Sequence, residues 1–328
     1  MVISLGSPFI SISALKLREE KSRSTDIELA KGSINVVLGR NRSGKTDFCR
    51  FLAGLPTGAS ASIAFDGRLF DAGDSEPLSA ALVYQAFVNY PHWTVAENIA
   101  SPMLAHGVRD PERVQVLADL MQIGDLLDRL PNELSGGQQQ RLAIARALAK
   151  SPSLLVMDEP FVNIDYKLRE LMLVELRALT SETGVCLVYA TSDPGDAISL
   201  ADQLFLIDDY EIIQAGDPLS LYRHPVNFRA ADLMSHPGIN RFSDSEFVRP
   251  EHIRVVDEED GTGLCTSAVI TGVETNGAET FLHADVSVPA GDLTWVSRQP
   301  GMLDVVIGDE KKLRVDTADL LIIAEEGV

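Results

Sequence analysis

The chain has 328 residues, of which 45% are hydrophobic, and carries a formal net charge of −20. That length exceeds one ordinary domain, so two domains with packed cores are expected. The acidity argues against a long nucleic-acid backbone as a partner, because phosphate binding needs a basic surface.

The predicted elements follow in order. Ile10 to Ser13 and Asp26 to Leu29 alternate apolar and polar residues and read as antiparallel strands around the charged loop Arg18 to Arg23. Ile34 to Leu38 is an apolar run that predicts a buried strand, and Phe48, Phe51 and Leu52 then recur at helical spacing. Ala61 to Phe65 is a strand turned by Asp66-Gly67, and Asp71 to Pro77 is a polar loop. Ala81 to Tyr84 is a buried strand that ends at Gln85. Thr94 and Glu97 have capping-box spacing, and Asp110-Pro111 is an N-cap followed by proline. Val114, Leu117 and Met121 share a helix face that Gly124 closes. The span 87–150 is therefore mainly helical, with a strong final run from Gln139 to Lys150.

Leu154 to Met157 is a buried strand, followed by a helix from Tyr166 to Thr183 and strands at Val185 to Tyr189 and Leu204 to Ile207. Apolar strands alternating with helices imply an α/β fold with a largely parallel sheet covered on both faces. From His236 onward there are 7 Lys/Arg against 18 Asp/Glu, net −11, which leaves −9 for the first 235 residues. The tail has short alternating strands, Cys265 to Val273 and Ala278 to His283, with turns at Gly261-Thr262-Gly263, Asn276-Gly277 and Pro300-Gly301. This predicts a first domain over 1–235 and a small β-barrel or sandwich over 236–328.

No apolar run approaches the roughly 18 residues of a spanning helix, and the start lacks the basic region of a signal peptide. Cys49, Cys186 and Cys265 lie far apart and fit buried thiols in a reducing cytosol better than disulfides. The six histidines show no metal-ligand spacing.

The chemistry concentrates in Gly39-Arg40-Asn41-Arg42-Ser43-Gly44-Lys45-Thr46, which fits the P-loop spacing G-x-x-x-x-G-K-[ST] between a strand and a helix. Backbone N–H groups there point at an anion, Lys45 reaches β- and γ-phosphates, and the Thr46 hydroxyl suits Mg²⁺. Asp158, at a strand end, suits Mg²⁺ through water, and Glu159, one residue on, suits a general base. Ser135-Gly136-Gly137-Gln138 opens a helix and forms a second anion site.

Together these motifs resemble ATP-binding-cassette (ABC) proteins over Ile27 to Pro225, and Leu134 to Arg141 carries their signature. The resemblance implies an ABC cassette fold with a helical subdomain, ATP and Mg²⁺ as ligands, and two cassettes arranged head to tail. It implies that Gln85 touches Mg²⁺ and water, that Ser135 to Gln138 act on the partner's ATP, and that Asp165 is the D-loop residue across the interface. Several positions depart from the family pattern. Ser192 stands at the switch-histidine place after Tyr189-Ala190-Thr191, no aromatic occurs from Lys16 to Arg23 where adenine would stack, Arg42 replaces a common glycine, and Asp47 replaces a hydroxyl residue. These weaken the chain's own site while leaving its signature intact, which suggests pairing with a second, different cassette.

Val248 to His252, Val273 to Thr280 and the linker Gly216 to Pro225 are similar to bacterial sugar-type importer ATPases, whose C-terminal domain is an OB-like barrel. Val83 to Pro91, Glu97 to Met103 and Tyr189 to Pro194 are similar to the ATPase subunits of glycerol importers, which use two different ATPase chains. The resemblance implies a peripheral protein on the cytoplasmic face of the membrane. Its partners would be two permeases, received beside Phe87, Tyr90 and Trp93, and indirectly a periplasmic solute-binding protein. The competing readings are a non-hydrolysing scaffold subunit and a soluble, non-transport cassette ATPase.

Overall fold

The computed structural model describes residues 9–18, 23–70, 79–84, 88–161, 166–256 and 263–323. The expected loop Asp71 to Pro77 lies outside them. The chain forms two compact units, Met1–Pro218 and Leu219–Val328.

The first unit begins with β1 (Ile10–Lys16), β2 (Thr25–Leu29), β3 (Ile34–Leu38), α1 (Lys45–Leu52), β4 (Ser60–Phe65), β5 (Arg68–Phe70) and β6 (Ala80–Val83). Helices α2 (Val95–Ala105), α3 (Pro111–Leu120) and α4 (Gly136–Leu148) follow. It ends with β7 (Leu154–Asp158), α5 (Tyr166–Thr183), β8 (Cys186–Thr191), α6 (Pro194–Leu200), β9 (Gln203–Asp208) and β10 (Glu211–Gly216). Six strands form one sheet in the order β10-β9-β3-β8-β7-β6, parallel except for the β9–β10 hairpin. Every residue of β3 and β8 is buried, as an unbroken apolar strand covered on both faces requires. A second sheet, β2-β1-β4-β5, is antiparallel and pairs Ile12 with both Ile27 and Ile63.

Register decides where the site lies. Leu38 pairs with Thr191, and Asp158 pairs with Ala190. The carboxyl ends of β3, β7 and β8 therefore finish together, and ligands of open α/β sheets bind outside such ends. Between β6 and β7 the described helices pack α2 on α3 and α4. Thr94 and Glu97 exchange both capping-box hydrogen bonds, at 3.2 and 2.8 Å. α3 ends at Leu120, short of the glycine expected to close it. Gln122 takes the left-handed conformation (φ 54°) that glycine usually supplies.

The second unit holds α7 (Pro218–Arg223, whose first residue closes the preceding unit), α8 (Phe228–Leu233), β11 (Asn240–Arg241), β12 (Glu246–Val248), β13 (Ile253–Val256), β14 (Leu264–Thr275), β15 (Glu279–Val288), β16 (Gly291–Pro300), β17 (Glu310–Val315) and β18 (Leu321–Ile322). Its main sheet is antiparallel, β13-β17-β14-β15-β16, over a core that includes Trp295, Ile253, Ile270 and Leu313. A small β-barrel or sandwich was the expectation, and the antiparallel sheet is in part consistent with it. Among the described residues the edge strands β13 and β16 are not joined by a backbone ladder. Instead Ser297 Oγ donates to the Ile253 carbonyl at 3.0 Å, and Gln299 Nε2 donates to the same oxygen. The unit also starts at Leu219, ahead of the charge shift at His236. Buried Arg249 accounts for this: it donates to the carbonyls of Tyr222 and Ala231 and to Ser235 Oγ, and lies 3.9 Å over the Tyr222 ring. One guanidinium thus ties α7 and α8 to the strands that follow.

Candidate nucleotide-binding site

The P-loop leaves β3 through Gly39, whose N–H donates to the Thr191 carbonyl at 3.3 Å. A Cβ at Gly39 would stand 2.3 Å from the Ile207 carbonyl oxygen and 2.5 Å from Ser43 Oγ, so only glycine fits. Arg42 occupies the left-handed region with φ 66°, which an L-residue with a side chain adopts only under strain. Gly44 has φ 107° and lies against Tyr210, whose N–H donates to the Ser43 carbonyl at 2.7 Å. The hairpin turn between β9 and β10 thus braces the loop from behind.

Lys45 is 4% exposed. Its ammonium donates to the Gly39 and Arg40 carbonyls at 2.5 and 2.8 Å and lies 3.1 Å from Glu159 Oε1. Thr46 hydrogen-bonds the Asp158 carboxyl, and burial pushes that carboxyl above its ordinary range while the Thr46 bond and Lys45 pull it back. Glu159 sits at φ 46°, and its N–H donates to the Ala190 carbonyl at 3.0 Å. Ser192 is exposed directly after β8. Asp193 caps α6 and pairs with Arg169 of α5 at 3.0 Å, and Asp196 accepts from Arg169 and from the Tyr189 hydroxyl. The Ser192 turn is therefore fastened to α5.

The residues fit a phosphate and a hard cation. Ser43 Oγ is buried with no hydrogen-bond partner among the described residues, and the N-terminus of α1 has no side-chain cap. Its first-turn N–H groups suit an anion. Thr46 and Asp158 present paired hard oxygens of the kind Mg²⁺ prefers. Asn41 is exposed on the loop, and Asp47 lies in the first turn of α1.

At the signature, Ser135 Oγ accepts from Gln138 N at 3.4 Å, and Gln138 Oε1 accepts from Ser135 N at 2.9 Å. A Cβ at Gly137 would collide with Leu168 of α5 at 2.5 Å, whereas one at Gly136 would meet nothing. A side chain at 137 would therefore make the Leu168 methyl move, whereas one at 136 would displace nothing among the described residues.

Gln85, Phe87 and Asp165 lie outside the described residues. Where a stacking aromatic was expected, Arg18 lies 4.2 Å over the ring of Tyr210. Sequence reasoning missed Tyr210, because only the pairing of β9 with β3 carries its turn to the P-loop. It also missed Arg169, which looks like an ordinary helix residue in the sequence, and it read Gln140 only as an extension of the signature. The single signal for Arg169 was the capped start at Asp193-Pro194. Among the described residues no group of three His, Cys, Asp or Glu is placed to hold a metal, and Cys49, Cys186 and Cys265 are free thiols.

The family model for ABC transporters matches residues 23–162. The chain is 34% identical to the sn-glycerol-3-phosphate import ATP-binding protein UgpC of Rhodopseudomonas palustris, with 88% of this chain and 85% of the relative aligned. It is 36% identical to the xylose/arabinose import ATP-binding protein XacK of Haloferax volcanii over 67% of this chain and 58% of that one. It is 34% identical to the spermidine/putrescine import ATP-binding protein PotA of Thermotoga maritima over 74% and 66%. Among solved structures, cbiO1 from Clostridium perfringens, part of the ABC transporter complex cbiONQ, superposes with TM-score 0.60 at 22% identity, covering 66% of this chain and 91% of that one. The chain belongs to the ABC transporter family as an ATP-binding protein that takes ATP with Mg²⁺ and couples its hydrolysis to transport.

Proposed function

We propose that this chain is the ATP-hydrolysing subunit of an importer for a small carbohydrate or polyol, with glycerol as the specific cargo, and that it works beside a second, different cassette. The observation that carries the hydrolytic part is the meeting of Lys45 with Glu159 at 3.1 Å, next to the Thr46–Asp158 pair. Lys45 holds β- and γ-phosphate oxygens. Thr46 and Asp158 would hold Mg²⁺. Bound Mg²⁺ supplies positive charge that offsets charge developing on the transferred phosphoryl group. Glu159 accepts a proton from the attacking water. Gln85 reports on Mg²⁺ and water, and Ser192 stands where a histidine would reach the γ-phosphate. Neutral and short, Ser192 gives that phosphate less support than a histidine would.

The signature Ser135 to Gln138 serves the neighbour's ATP, and Asp165 crosses the same interface. Gly136 supports this role. An Ala there would meet nothing among the described residues, so closeness to a group from outside the chain would account for glycine at that place. The names of relatives support a polyhydroxylated cargo through glycerol phosphate and pentose import, while one relative imports polyamines. No described helix is long and apolar enough to cross a membrane. The chain attaches at the cytoplasmic face to two permeases, which receive cargo from a periplasmic binding protein. Tyr90 and Trp93, 48% and 42% exposed with rings 4.5 Å apart, offer apolar area to a permease helix.

A second reading, a nucleotide-binding scaffold, is favoured by Ser192 and by strained Arg42, and is opposed by the Lys45–Glu159 contact. Native mass spectrometry of the complex purified through this chain tests the assembly. One copy beside a second cassette and two permeases is expected. Two copies with no second cassette would overturn the heterodimer. Uptake of labelled glycerol by cells with and without this chain tests the cargo, and equal uptake would overturn that choice.

A further inference from the structure

Gln140 is wholly buried in α4, five residues beyond Ser135, although an apolar residue would suit that place better. Its Nε2 donates to the Pro160 carbonyl at 2.7 Å, and its Oε1 has no partner among the described residues. Burying an amide with one end unpaired is unfavourable. The bond it makes lies one residue beyond Glu159, whose left-handed backbone (φ 46°) is strained for a residue with a side chain. On one side of that strained residue the Glu159 N–H is held by the Ala190 carbonyl of β8 at 3.0 Å. On the other side the Pro160 carbonyl accepts from Gln140 Nε2. Proline has no N–H, so the carbonyl is the only backbone handle there.

We propose that Gln140 is a positioning residue for hydrolysis. It pins the turn that aims Glu159, and through rigid α4 it links that turn to the signature at the same helix's start. Engagement of Ser135 and Gly136 by the opposite cassette then moves or steadies α4, and the Gln140–Pro160 bond passes this to Glu159. The proposal rests on Glu159 acting as the base.

The test uses the full chain in its complex with the membrane subunits. Gln140→Met keeps the volume and removes the donor. Its kcat is expected to fall at least fivefold, toward the floor set by Glu159→Gln. KM for ATP and affinity for a fluorescent ATP analogue should stay within twofold. In the Glu159→Gln background, Gln140→Met should add less than a twofold loss. An unchanged kcat, an equal loss of affinity, or a further fivefold loss in that background would overturn the proposal. If Glu159→Gln alone left turnover unchanged, the reading of Glu159 as base would fall first, and the proposal with it. Should Gln140→Met not fold, Gln140→Glu provides the second readout. A protonated carboxyl can donate to the Pro160 carbonyl and a carboxylate cannot. The ratio of its turnover to wild type should therefore rise as pH falls, and a flat ratio would overturn the proposal.

Discussion

Arg42 and Glu159 are both held in left-handed backbone at the site, with φ 66° and 46°. Strain of this kind costs on the order of 1–3 kcal/mol and persists only where neighbours impose it. Arg42 is exposed, so Arg42→Gly should stabilise the chain by about 1 kcal/mol, read as a higher urea midpoint; a lower midpoint would contradict the strain. The thiols give a second residue-level prediction. Cys49 and Cys186 are 0% exposed, and burial pushes the Cys186 thiol up to about 12. Only exposed Cys265 should react with a thiol reagent at neutral pH, and all three should react after unfolding. Because the folded pKa of Cys186 is raised, its contribution to stability is complete below the ordinary value of 9.0 and is lost as pH rises toward about 12. The loss runs at up to about 1.4 kcal/mol per pH unit. A Cys186→Ala variant should show a flatter alkaline limb in unfolding measured against pH. At this scale the sequence singled out Lys45 and Thr46 by the spacing of the loop between β3 and α1, and Asp158 and Glu159 by their place at the end of an apolar strand; the structure brings the four together. Tyr210 and the contact of Gln140 with Pro160 were hidden, because each arises only through packing between distant segments.

At the scale of elements, the helix that opens at the signature carries a trade between stability and use. Gly136 meets no internal neighbour, whereas Gly137 abuts Leu168. Gly136→Ala should stabilise the isolated chain by about 0.5 kcal/mol through helix propensity. It should also cut ATP turnover of the assembled complex at least tenfold, since a methyl would stand between the helix start and the neighbour's ATP. Equal turnover would contradict the role given to Gly136. The loop before α2 depends on Asn98. Its amide donates to the carbonyls of Tyr90, Trp93 and Thr94 at 2.9–3.1 Å and accepts from the Tyr90 N–H at 2.8 Å. Asn98→Ala removes these four hydrogen bonds and should cost about 2–3 kcal/mol, seen as a lower melting temperature with altered Trp93 fluorescence. Buried strands β3, β7 and β8 were legible as unbroken apolar runs, and α2 through its Thr94–Glu97 cap. The open edge of the β13–β16 sheet was not, because Ser297 and Gln299 close it with side chains that no alternation pattern reveals.

For the whole molecule, length and the acidic tail predict two domains divided at His236, and the contacts of the chain divide it after Pro218. The boundary follows Arg249, whose burial under α7 and α8 depends on contacts rather than on composition. The family was legible because five short motifs fall in order along one chain, and the importer branch rests on the tail and linker. Cargo and the second cassette are properties of an assembly, so a single ATPase chain expresses them only faintly. The central claim is that this chain's own site hydrolyses ATP, despite Ser192, through Glu159 beside Lys45. The most direct test is ATP turnover of the intact complex with Glu159→Gln in this chain alone. A loss of at least tenfold is predicted, with ATP still bound; an unchanged rate would contradict the account and make this chain a scaffold for its neighbour's catalysis.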